Sequence, residues 1–177
     1  LVSSYIHNID LRWEMFKKDG QMLSVSGFYK YFIRPIEIVQ YASQTGTFQP
    51  RHVGDGQVLG LEVEFRHNLE SIIGTLKGFS LISNVSVTRS QIELSLTEYL
   101  SRIENARTGQ QISRYREMAG QAPWIINSGL TYMGSGKGFL EGFEAGLYYN
   151  VQGKTLQYVG IADRPDIYTL PFHSLNF

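Results

Sequence analysis

Leu59, Leu61, Val63 and Phe65 alternate without a break against Gly60, Glu62, Glu64 and Arg66. Successive side chains leave a β-strand on opposite faces, so a period of two predicts a strand. One face of that strand is aliphatic or aromatic, and the other carries three charges. Three charges are too many for the core side of a soluble sandwich, whereas an oily face backed by an ionic one suits a wall between hydrocarbon and water. The same pattern opens the chain, where Ile9, Leu11, Trp13 and Met15 alternate with Asp10, Arg12 and Glu14. Asp19-Gly20 then predicts a tight hairpin turn. The next strand, residues 22–32, sets Leu23, Val25, Tyr29 and Tyr31 against Ser24, Ser26 and Lys30, with Phe28 out of pattern. Further strands are predicted over residues 79–88, 124–132 and 141–151, and a seventh from Pro171 to Phe177. The fold class expected is all-β, an antiparallel meander of about seven strands.

The connections run short, long, medium, long, short, long. The long ones, residues 36–57, 89–122 and 152–170, read as polar loops, the first containing Ser43-Gln44-Thr45-Gly46. Within the second, Ser90-x-x-Glu93 reads as a capping box, and Ile92, Leu96, Tyr99 and Ile103 stand near helical spacing. A short helix is predicted there, the alternative being that Ile92, Leu94 and Leu96 prolong the preceding strand. Brief turns at one end and extended loops at the other are the layout of an outer-membrane barrel, with the long loops outside the cell. The first strand then runs toward the periplasm. Tyr29, Tyr31, Phe32, Trp124, Tyr148 and Tyr149 fall where an aromatic girdle belongs, although rings favour strands in general.

Composition narrows the chemistry. The 16 basic and 16 acidic residues cancel, so no basic field points to nucleic acid. Charged residues make up only 18% while 18 glycines and 13% aromatics favour a β-rich chain with tight turns. No apolar run reaches the roughly 18 residues of a membrane-crossing helix, but barrel strands need only about 9–11 alternating residues. With no cysteine there are no disulfides or thiolate metal sites. No signal peptide is visible in the opening LVSSYIHNIDLRW, and a secreted or outer-membrane protein would need one, so the expectation is either a piece of a longer protein or a different location.

Catalytic and metal motifs are not apparent. The residues 134–138 hold a Gly-Lys pair without the phosphate-loop spacing and read as a turn. His7, His52, His67 and His173 form no metal-binding pair, and no G-x-S-x-G occurs. Asn84-Val85-Ser86 fits a glycosylation sequon but falls inside a strand. No enzymatic activity, cofactor or metal is expected. Two residue sets are singled out. Asp10, Arg12, Glu14, Glu62, Glu64 and Arg66 would line a wet barrel lumen, where mutual ion pairing is the simpler role. Arg51, His52, Asp55 and Arg164 lie in predicted outer loops and could contact a ligand, solvation being the simpler role.

The segment GQVLGLEVEFRHNL resembles a strand late in the barrel of TonB-dependent outer-membrane receptors, particularly those of the Bacteroidetes type. NIDLRWEMFKKDGQMLSVSGFYKYFIRPIEIV, GQAPWIINSGLTYMGSGKG, and FEAGLYYNVQGKTLQYVG with ADRPDIYTLPFHSLNF fit the same family in the same order. The resemblance implies that residues 1–177 are a carboxy-proximal part of a barrel of about 22 strands, with plug domain, TonB box and closing strands outside them. It further implies an outer-membrane location and active uptake of a scarce ligand such as an iron chelate, cobalamin, glycan or peptide. The partners implied are the receptor's own plug, the TonB complex, outer-membrane lipid and that unidentified ligand. Two alternatives stand beside it: a soluble β-sandwich binding carbohydrate, and a small outer-membrane barrel enzyme.

Overall fold

A computed structural model describes residues 2–40, 47–134, 138–160 and 164–177. It is all-β, dominated by one antiparallel meander. The main sheet consists of β1 (Tyr5–Phe16), β2 (Met22–Ile33), β5 (Gly56–Asn68), β6 (Phe79–Glu93), β8 (Trp124–Met133), β9 (Glu144–Gln152) and β12 (His173–Asn176), in that order. A two-residue strand, β7 (Tyr115–Arg116), pairs beside the end of β6. Two small hairpins stand off the sheet, β3 (Ile36–Gln40) with β4 (Phe48–His52) and β10 (Thr155–Tyr158) with β11 (Ile167–Thr169). The single α-helix among the described residues, α1 (Leu96–Glu104), is too short to cross a membrane.

The alternation seen in the sequence is preserved across every pairing. Directly opposed residues share a face, so register turns each strand's pattern into rows across the sheet. One row reads Glu14, Ser24, Glu64, Asn84, Asn127, Asn150 and Ser174, polar on all seven strands. One residue along each strand, on the opposite face, the row reads Trp13, Val25, Val63, Val85, Ile126, Val151 and His173. The sheet is therefore two-sided in chemistry over its whole width. On the oily side Ile9 and Leu11 remain 71% and 78% exposed.

Phe28, out of pattern in the sequence, has a structural reason. It lies on the polar face opposite Gly60, and its ring occupies the space where a Gly60 side chain would stand. Tyr148 repeats the arrangement over its partner Gly129: a Cβ there would fall 2.8 Å from Tyr148 Cδ1. Phe32 and Tyr148 consequently lie on the polar face, while Tyr29, Tyr31, Trp124 and Tyr149 lie on the oily one.

The hydrophobic core sits at one end, on the polar side of the sheet, where the long connections fold over it. Val58 and Ile92 from the sheet pack with Val39, Val53, Met118, Leu156 and Val159 from those connections, with Phe28, Phe32 and Tyr168 against them. The two hairpins join along an edge, through a parallel bridge between Val39 and Val159 and a bond from Gln40 N to Val159 O. Residues 36–57 and 152–170 are thus folded hairpins rather than plain loops, although Ser43–Gly46 and Asp163 lie outside the described residues. In the remaining long connection, β6 continues to Glu93, and α1 begins only at Leu96. Its N-cap is Ser95, whose hydroxyl accepts from Glu98 N, not Ser90. Strand extension and helix both occur, one after the other. At the opposite end the turns are short; Gly20 supplies a φ of 72° in the first of them, a conformation that costs glycine nothing. Most of the turn predicted around Gly134 lies outside the described residues, and the strand after it starts at Glu144 instead of Glu141.

Candidate functional site

The polar face brings together half of the residues expected to line a lumen. Arg12 on β1 donates through Nε to Glu14 at 2.5 Å and through Nη2 to Glu64 at 3.1 Å, with Ser26 3.4 Å from Nη1. Asp10, Glu62 and Arg66 share the face but lie outside this cluster. Further along, Asn150 donates its amide to Asn127 within the polar row. Ser24, Asn84, Asn127 and Asn150 are not among the lumen candidates; alternation alone puts each on the polar side of its strand, and register aligns them into one row. The cluster is open to solvent, so its ion pairs hold side chains in place more than they stabilise the fold. Chemically the face offers alternating carboxylate, guanidinium, hydroxyl and amide groups to an aqueous space.

The loop candidates separate. His52 and Asp55 both clamp the corner where β2 passes into β3. Arg34 at that corner has a φ of 52°, the left-handed region that side chains rarely adopt. Asp55 Oδ1 accepts from Arg34 N at 3.0 Å, and Oδ2 accepts from the Tyr31 hydroxyl at 3.1 Å. The His52 ring meets Arg34 O through Nδ1 at 2.9 Å and accepts from Val2 N through Nε2 at 3.4 Å. Ser4 donates a second bond to Arg34 O. Both carboxylate oxygens and both ring nitrogens are thus engaged in holding the corner. Arg51 lies on β4 opposite Glu37, and Arg164 lies between β10 and β11, so the four do not converge. Among the described residues no group of His, Asp or Glu is arranged to hold a metal ion.

A second charged assembly, unread in the sequence, lies under the cap. Arg116 on β7 bonds Glu37 of β3 at 2.6 Å and Glu98 of α1 at 2.8 Å, all three nearly buried. Glu98 also accepts from Arg102 at 3.2 Å, and Arg102 reaches Asp166 beside β11 at 2.9 Å. The chain Glu37–Arg116–Glu98–Arg102–Asp166 therefore ties both hairpins to α1. Backbone amides complete it: Ala119 N donates to Glu37 and Gly160 N to Asp166. Burial alone would lower the Arg116 pKa, but the hydrogen bond to Glu37 and the two nearby carboxylates outweigh it and hold that pKa above its ordinary value. Next to this clasp, burial and a hydrogen bond to Glu117 push the Tyr168 hydroxyl up to about 12.

The oily face changes character along its length. Its row His7, Tyr31, Gln57 and Gln91 is polar, the adjoining row Ile9, Tyr29, Leu59 and Arg89 mixed, and the next row Leu11, Gly27, Leu61, Val87 and Trp124 apolar. Tyr29 donates to Gln57 at 3.2 Å and Gln57 to Gln91 at 3.1 Å, so a bonded line runs from the mixed row into the polar one. No protein-family model matches the chain, and neither the curated proteins nor the solved structures contain a match.

Proposed function

We propose that the chain forms part of the wall of an outer-membrane β-barrel of the TonB-dependent receptor type, engaged in active uptake of a scarce ligand. The observation that carries this reading is the pair of back-to-back rows: seven polar residues on one face and, one position along, six apolar residues ending in His173 on the other. A soluble sandwich would bury one face of such a sheet against a second layer, whereas among the described residues no sheet or helix packs over the oily face, and Ile9, Leu11, Leu59 and Leu61 stay more than half exposed. In a barrel wall that face meets lipid and the polar face meets the lumen. The hairpins and α1 then form the outer mouth, folded back over the lumen side, and the short turns face the periplasm.

Because the chain has no cysteine, single-cysteine labelling tests the faces directly. Spin labels at Leu61→Cys and Glu62→Cys in the whole membrane-embedded protein should report opposite environments: oxygen-rich lipid at the first, and access to a water-soluble nickel reagent at the second. Equal access at both positions overturns the wall. The receptor assignment has its own test in the coding sequence on the amino-terminal side. A plug domain is expected there, and a signal peptide directly abutting Leu1 would exclude the receptor while leaving a barrel.

A further inference from the structure

The oily face is not uniformly oily. Around Gly27 lies a shallow groove of about 730 Å³, walled by Leu11, Leu59, Leu61 and Val87, and Arg89 stands among these apolar residues. The groove exists because Gly27 has no side chain in its row: a Cβ there would meet nothing within 4 Å. Arg89 lies opposite Leu59, exposed, with no hydrogen-bond or ion-pair partner among the described residues. The neighbouring polar line, Tyr29–Gln57–Gln91, engages its own members instead. A guanidinium with no counterion, at the boundary between a polar row and an apolar groove, is complementary to an amphiphile with an anionic head and a hydrocarbon tail.

We propose that Arg89 and the groove over Gly27 form a binding site for a phosphorylated, multiply acylated lipid of the outer leaflet, with the chemistry of lipid A. The phosphate takes the guanidinium, which offers a planar fork of donors suited to it. An acyl chain runs from there past Val87 and Leu61 into the space over Gly27, which is two strands away, or about 10 Å. Gln57 and Gln91 present amides at headgroup level, one row closer to the cap. The inference rests on the oily face meeting lipid. It goes beyond that reading in naming a discrete site selective for a net-anionic phosphomonoester, where a plain wall would bind every lipid alike and a zwitterionic phosphodiester would serve as well.

The test uses the whole receptor, purified from outer membranes and reconstituted with lipid A, dephosphorylated lipid A or phosphatidylcholine, with bound lipid counted by native mass spectrometry. Lipid A should be retained by the wild type, and retention should fall about tenfold in Arg89→Gln, as expected for losing charge-assisted bonds. Gly27→Leu should lower it comparably by filling the groove, while the heat-modifiable band of the folded barrel stays unchanged because a Cβ at Gly27 enters open space, with nothing within 4 Å. Dephosphorylated lipid A and phosphatidylcholine should be retained no better by the wild type than by Arg89→Gln. Equal retention of all three lipids, or unchanged lipid A binding in folded Arg89→Gln, overturns the site. Failure of the wall reading looks different: the label at Leu61→Cys would then be reached by the nickel reagent, whatever lipid is bound.

Discussion

The capped end of the sheet and its open middle are built from the same alternating strands and treat apolar side chains in opposite ways. At the capped end Ile92, Leu156 and Val159 are wholly buried, and the clasp beneath the hairpins leaves no buried side-chain polar atom without a partner among the described residues. In the middle, Leu11 and Leu61 stand exposed on one face and Arg12 and Glu64 half-exposed on the other. The cap solves its burial problem within the chain. In the middle no described element of the chain covers the oily face, so a side-chain pattern separates the two kinds of region only when both faces of the sheet are counted.

That contrast is broken most severely at the clasp. Arg116→Ala strands Glu37 as a buried carboxylate without its counter-charge and leaves Glu98 with Arg102 alone, a loss of about 3–5 kcal/mol for such buried pairs. The cap should become protease-sensitive while the barrel band persists, and Arg116→Met combined with Glu37→Gln and Glu98→Gln should restore most of the resistance. In the proposed wall, Leu61→Arg should cost about 2–4 kcal/mol near mid-membrane and lower the assembled fraction, measured as heat-modifiable band intensity, whereas Glu62→Gln should leave it intact. A sharper comparison places the same ring in both regions. Leu61→Trp should assemble normally if, as proposed, its side chain meets lipid, while Leu156→Trp overpacks a closed core at about 1–3 kcal/mol and should expose the hairpins to protease.

Smaller effects follow from titration and from exposed charge. The Tyr168 hydroxyl, at about 12 in the folded cap, compares with about 10 in an unfolded chain. Its folded pKa is raised, so its contribution is complete below pH 10 and is lost as pH rises from there toward 12. Protease resistance of the cap should fall over that window, and less steeply in Tyr168→Phe. Smallest of all, Arg12→Gln removes an exposed cluster and should leave assembly unchanged, any difference in thermal midpoint shrinking as salt is added.

The strands were legible because alternation is a local signal repeated over ten or so residues, as in β5 and β9. The two cap hairpins were not, because their strands are three to five residues long and one carries Pro50, which argues against a strand unless it lies at an edge. The clasp was unreadable for another reason: Arg116 and Glu37 stand 79 positions apart, and Arg102 and Asp166 64 apart, so no spacing rule joins them. The helix cap was available in Ser95-x-x-Glu98; Ser90-x-x-Glu93 offered the same letters while serving as strand. Among the site residues, Arg12, Glu14 and Glu64 could be placed on one face by counting, but the engagement of His52 and Asp55 with the Arg34 corner depends on a backbone conformation that sequence does not announce.

Two-fold alternation leaves one ambiguity that the rings over glycine remove. Sliding one strand by a single residue exchanges its faces and is punished at once, but a slide of two keeps every oily residue on the oily side and every polar one on the polar side. Measured by hydropathy, such a slipped sheet is as good as the native one. It would carry Phe28 away from Gly60 and Tyr148 away from Gly129, setting each ring against a neighbour with a side chain. The two ring-and-glycine contacts thus act as a vernier: the pattern of faces gives the coarse alignment, and these pairs select one graduation within it, at a point in assembly when hydrogen bonds alone could close equally well in several places.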